Sequence, residues 1–198
     1  TIDIDCETWQ APPGGKDCDK CTDKDMLKQI NYNLCTEYRC KSLGQACELV
    51  NPGTEFAVCI DSNPNDVNAP IISPWKEVLT KGYSINELAY GYSISPKIEP
   101  FSQIQFGILT NEYAQCKITD NHTLSYDQMP AQYFGDAIYK KQHNITLNLE
   151  TNKEFSFYVR CQDPHGNKNV KEYAITMATK PGPDLTPPVI ELTSINND

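Results

Sequence analysis

No apolar run in this 198-residue chain approaches the ~20 residues that cross a bilayer as a helix, so no transmembrane helix is read from it. Histidine is scarce. His122, His143 and His165 are the full set, and no two of them have the H-x-x-x-H spacing of a metal site. A G-x-S-x-G elbow and a glycine-rich phosphate cradle are absent as well. Each histidine is expected as a solvated loop residue, and the chain is expected not to be an enzyme. Cationic side chains are the third shortage. The 17 Lys and Arg stand against 26 Asp and Glu, a net charge of −9 with pI near 4.8. That balance argues against nucleic-acid partners, whose phosphates need Lys and Arg.

Cysteine is what the chain has in excess, and it is unevenly placed. Of nine cysteines, Cys6, Cys18, Cys21, Cys35, Cys40, Cys47 and Cys59 fall in the first third, and Cys116 and Cys161 in the rest. Such usage points to an oxidising, extracellular or cell-surface location. Residues 1–62 read as a small module held by disulfides, because large apolar residues are few there. Thr22 and Asp25 resemble a capping box, and Met26, Leu27, Ile30 and Leu34 follow at helical spacing, which predicts one short helix over about 23–35. The spacing Cys18-x2-Cys21-x13-Cys35-x4-Cys40 also fits a structural zinc, or a redox pair, but Cys6, Cys47 and Cys59 would then have no role. Disulfides are the preferred reading. An odd count leaves one cysteine unpaired or intermolecular.

Beyond Pro70 the apolar period becomes two. Ile104, Phe106 and Ile108 alternate with Gln103, Gln105 and Gly107; Ala114, Cys116 and Ile118 alternate with Gln115, Lys117 and Thr119. Ile145, Leu147 and Leu149, then Phe155, Phe157, Val159 and Cys161, then Tyr173, Ile175 and Met177 continue the pattern. These are strands with one buried and one wet face. Cys116 and Cys161 share the inward phase and are expected to form a core disulfide, while Arg160 takes an outward one. The fold class is therefore mainly β, with a sandwich over 63–183. Lys76 to Pro100 is longer than a sandwich needs. It reads as an extra hairpin or as a tyrosine loop (Tyr83, Tyr90, Tyr92) that touches a glycan or protein.

Thr110-Asn-Glu-Tyr-Ala-Gln-Cys116, Phe155-Ser-Phe-Tyr-Val-Arg-Cys161-Gln-Asp-Pro-His-Gly-Asn167 and Pro187-Pro-Val-Ile190 carry a resemblance. Over about 66–192 the chain resembles fibronectin type III or bacterial Ig-like repeats of large secreted prokaryotic, notably archaeal, surface proteins. Phe155 stands where such domains have a tyrosine, so a tyrosine-corner hydrogen bond is not expected. The resemblance implies an antiparallel Ig-like sandwich in a surface protein.

Asp184-Leu-Thr-Pro-Pro-Val-Ile-Glu-Leu192 repeats the residue types of Asp66-Val-Asn-Ala-Pro-Ile-Ile-Ser-Pro74, 118 residues earlier. Residues 184–198 thus read as a linker and a strand belonging to a following domain or a neighbouring subunit. Pro188, Val189, Ile190, Glu191, Leu192 and Thr193 would form that assembly strand. An isolated strand cannot pair its own backbone, so head-to-tail strand complementation in a filament or surface layer is the expected function. An adhesin module, or an accessory domain of a larger secreted enzyme, is the alternative. Thr1 in place of Met suggests that a signal segment is removed or precedes the chain. Asn121-His-Thr123 and Asn144-Ile-Thr146 are N-glycosylation sequons. Asp66, Asn68 and Asp163 lie in oxygen-rich loops suited to calcium.

Overall fold

The computed structural model describes residues 9–23, 35–62 and 65–183. Cys6, most of the helix expected over 23–35 and the assembly strand 188–193 lie outside them.

In the N-terminal part, sulfur takes the place of an aliphatic core. Disulfides Cys18–Cys47, Cys21–Cys35 and Cys40–Cys59 bring six buried cysteines together, with Leu43 and Leu49 alongside. The four thiols that could have held zinc are all oxidised, which removes the thiolate ligands that metal requires. Cys116 and Cys161 are bonded too, so the odd cysteine is Cys6. Helix α1 (Glu37–Leu43) opens at Thr36, whose Oγ1 accepts from the Arg39 amide at 3.3 Å. It closes at Gly44, where a Cβ would lie 2.2 Å from the Gly14 carbonyl oxygen. Strands β1 (Cys47–Val50) and β2 (Val58–Asp61) then pair antiparallel. The sequence reading missed α1 and this hairpin, because four-residue strands carry too little alternation to register.

The period-two segments form the sandwich. Its strands are β3 (Ile72–Pro74), β4 (Ser84–Leu88), β5 (Gly91–Ser95), β6 (Gln103–Thr119), β7 (Lys140–Asn148), β8 (Glu154–Gln162) and β9 (Tyr173–Ala178). β6 is long enough to serve both layers. Its first half pairs with β3 and β7; its second half pairs with β8, and the order continues through β9 and β5 to β4. A register shift between Leu109 and Ala114 separates the halves. Such a bulge bends a strand and lets it turn a corner between layers. All pairings are antiparallel except β5 with β9, which is parallel.

Ile104, Phe106, Ile108, Ala114, Cys116 and Ile118 from β6 meet Val159, Cys161, Ile175 and Met177 in one core. Phe106 sits edge-on to Phe134 at 5.6 Å and over Phe157 at 6.2 Å. Cys116 and Cys161 stand directly opposite on neighbouring strands, so their disulfide lies within one sheet and does not bridge two. Closing a separation of 45 residues is worth about 4 kcal/mol on the chain-entropy estimate.

Of the two readings of residues 76–100, the hairpin is the one found, and it extends the sheet: Tyr92 is fully buried with its hydroxyl donating to the Gly107 carbonyl at 3.0 Å, and the Tyr83 hydroxyl accepts from the Glu99 amide. Tyr90 is the exposed one, beneath Lys171. Two positions depart from the expected pattern, Arg160 and His143. Arg160, placed outward by phase, is buried beneath the 122–124 and 169–172 segments. It donates to the carbonyls of His122, Leu124, Asn169 and Val170 and pairs with Glu172. His143 is no loop residue: it lies in β7, 2% exposed, its Nε2 3.0 Å from the Lys140 carbonyl oxygen.

Asn51, with φ 55°, joins the cysteine-rich part to the sandwich. Its Oδ1 accepts from the Tyr139 amide and its Nδ2 donates to the Tyr139 carbonyl, both at 2.9 Å, as a neighbouring strand would. Asn51→Ala should cost about 2 kcal/mol, measured by urea unfolding, and should speed exchange of the Tyr139 amide. Burial pushes the His143 imidazole from 6.5 down to about 4, so folding excludes a proton that the unfolded chain accepts. Stability should therefore fall by about 3 kcal/mol as pH drops from about 6.5 to 4, a loss that His143→Gln removes.

Candidate functional site

One oxygen from each of Asp66, Glu112 and Asp163 lies within 4.8 Å of the other two. Three separate features of the chain deliver them. Asp66 belongs to the linker ahead of β3, Glu112 to the β6 bulge, and Asp163 to the turn after β8. In the bulge the Thr110 hydroxyl donates to the Glu112 carbonyl at 2.7 Å, bending the backbone locally. In the turn, Gly166 adopts φ 89° and Asn167 closes back on Asp163. The Asn167 amide donates to one Asp163 carboxylate oxygen at 2.8 Å and its Nδ2 to the other at 2.7 Å.

Asp163 is completely buried, and Asp66 and Glu112 are partly so. Ionised carboxylates this close repel by about 3 kcal/mol per pair at the effective dielectric of a protein surface. The Glu112 carboxyl responds. Burial first, then the charges of Asp66 and Asp163, hold it above the usual carboxylate range, while His165 pulls the other way. Chemically, a retained proton or a hard cation that prefers oxygen ligands would relieve that repulsion. A cleft of about 570 Å³ opens beside it, lined also by Lys16, Tyr113, Lys141 and His165.

Of the predicted oxygen ligands, Asp66 and Asp163 meet here. Asn68 is exposed, and its backbone and side-chain amides both turn to Asp66 Oδ1. Glu112 was missed. The signal for it was the Thr110-Asn-Glu112 tripeptide, whose three polar residues interrupt the apolar alternation of β6. Asn121 lies in an exposed turn after β6, its Oδ1 accepting from the Thr123 amide and hydroxyl. Asn144 lies in β7, opposite Gly107 of β6. The histidines do not meet one another: His122 lies against the Tyr158 ring, His143 within the sandwich, and His165 at the cleft, 3.7 Å from Glu48.

No family model and no curated protein matches the sequence. Among solved structures, the chain is similar to the PKD domain of an M14-like peptidase from Thermoplasmatales archaeon SCGC AB-540-F20. Identity is 9% and the TM-score 0.31, over 58% of this chain and 95% of that one. So loose a superposition decides nothing, and the Ig-like sandwich rests on the strand pairing itself.

Because its folded pKa is raised, the Glu112 carboxyl costs stability as pH rises through that pKa. Glu112→Gln should raise Tm at pH 7 in EDTA. If a cation is captured, millimolar Ca2+ should raise the Tm of the parent chain and leave the variant nearly unchanged.

Proposed function

We propose that the chain is a non-catalytic structural segment of an extracellular filament or cell-surface assembly, joined head to tail through residues 184–198. The observation that carries this reading is how the first copy of the repeated segment is held. β3 and its linker are gripped largely through their backbone. The Ile71 amide donates to Asn111 Oδ1 at 2.7 Å, Asn169 Nδ2 donates to the Pro70 carbonyl at 2.7 Å, and Asn167 Nδ2 donates to the Asp66 carbonyl at 3.0 Å. A grip of side-chain amides on backbone groups reads an extended, proline-punctuated path more than particular side chains. Asp184–Leu192 has the same pattern and suits a slot of the same kind on a following unit.

Donation of that sort is heterologous and grows a fibre when it does not close. The disulfides support an oxidising compartment. The resemblance to repeats of prokaryotic surface proteins supports the same setting. Calcium at Asp66, Glu112 and Asp163 belongs to this reading, since the carboxylates converge where the linker meets the sandwich and a cation would stiffen that joint.

Removing residues 184–198 should leave a monomer, whereas the full chain should sediment as larger species that grow with concentration. Identical monomeric sedimentation of both rejects the polymer reading.

A further inference from the structure

The outer face of the β3–β6–β7 layer carries an aromatic groove of about 500 Å³ that includes one of the two sequon asparagines. Phe56, Trp75, Tyr113 and Tyr139 line it, with Gln142 and Asn144 from β7. Trp75 lies over the sheet because Gly107 leaves room: a Cβ there would sit 3.1 Å from the indole and 2.7 Å from Val78. Gly107 is the register partner of Asn144, so the sequon amide emerges on the face the indole covers. Among the described strands β7 pairs with β6 alone, and a Cβ on Gly135 would sit 2.7 Å from the Asn144 carbonyl oxygen, so a substituent leaves from the outer face of the strand and not from its edge. Thr146, which completes the sequon, is exposed on the same face.

We infer that Asn144 carries an N-linked glycan whose first sugars lie in this groove against Trp75. The inference rests on the extracellular reading above. Pyranose C–H faces stack on aromatic rings as other apolar surfaces do, and planar amides such as Gln142 pair with sugar hydroxyls. In the modification, Asn144 Nδ2 attacks the anomeric carbon of a polyprenyl-phosphate-linked sugar. The C1–N bond forms, the C1–O bond to phosphate breaks, the amide loses one proton, and the lipid phosphate leaves with the electron pair. The glycan then covers an aromatic face that the polypeptide leaves half open. Asn121 differs: its turn is exposed, and a glycan there projects into solvent.

The test is secretion of the full chain from a glycosylating eukaryotic host, with site occupancy read by peptide mass spectrometry. Occupied Asn144 is expected. In a Trp9→Phe background Trp75 is the sole indole, and acrylamide should quench it less in the glycosylated chain than in Thr146→Ala, which removes the sequon at an exposed position. Thr146→Ala should also lower Tm by about 2–4 °C, and by less when Trp75 is already Ala. An empty Asn144, whether or not Asn121 is occupied, overturns the inference. So does an occupied Asn144 with unchanged quenching of Trp75. Failure of the compartment reading is a different result: reduced cysteines in chain isolated from its own source.

Discussion

The bulge in β6 is the constraint on which the rest of this molecule depends. A strand of seventeen residues would run flat and straight past one layer if its pairing were continuous. The shift between Leu109 and Ala114 instead hands the chain from the β3–β7 partners to the β8 partner. Both halves stay inward-facing across it, which is why one strand supplies so much of the core. The same irregularity frees Asn111 and Glu112 from the ladder with β7. Asn111 then holds the Ile71 backbone on both sides, accepting from its amide and donating to its carbonyl, and Glu112 turns toward Asp66 and Asp163.

Amide side chains that imitate a neighbouring strand recur at each joint. Asn51 pairs with both backbone groups of Tyr139, Asn167 and Asn169 hold the linker, and Asn169 also accepts from the Cys161 amide. These are fixed hydrogen bonds in partly buried places, where leaving a backbone group unpaired is expensive. They connect the cysteine-rich part, the linker and the sandwich, whose buried apolar clusters are separate among the described residues. Sulfur stabilises the first of these parts and packed aliphatic and aromatic side chains the last, a division that follows from how few apolar residues precede Pro70.

Electrostatics divides along the same lines. Most ion pairs in the described residues lie at the surface and contribute little, such as Lys41 with Glu37 and Lys153 with Glu150. Arg160 is the exception. Its guanidinium is enclosed by carbonyl oxygens and one carboxylate, so it pins two loops to β8. The acidic group at the linker is the converse case, a local excess of like charge that the fold concentrates.

Hydrophobic alternation by itself determined the sandwich, because side chains on a strand must face opposite sides and the core accepts one phase. It located β6, β7, β8 and β9 and put Cys116 and Cys161 inward, while β5, which adds Tyr92 and Ile94 to the core, fell in the segment read as a hairpin or loop. It misplaced Arg160 and His143, since phase does not reveal which loops cover an outer face or which strand edge closes over a ring. Residues 76–100 read either as a hairpin or as a tyrosine contact loop; pairing β5 alongside β9 makes them the hairpin and turns Tyr92 inward. α1 and the β1–β2 hairpin carry too few residues for periodicity, and covalent links among distant cysteines shape them. Asp66 and Asp163 read separately as oxygen-rich loop residues, and Glu112, dozens of residues from either, looks like an ordinary surface acid. Only the tertiary structure gathers them, because a bulge, a linker and a turn happen to end at the same point in space.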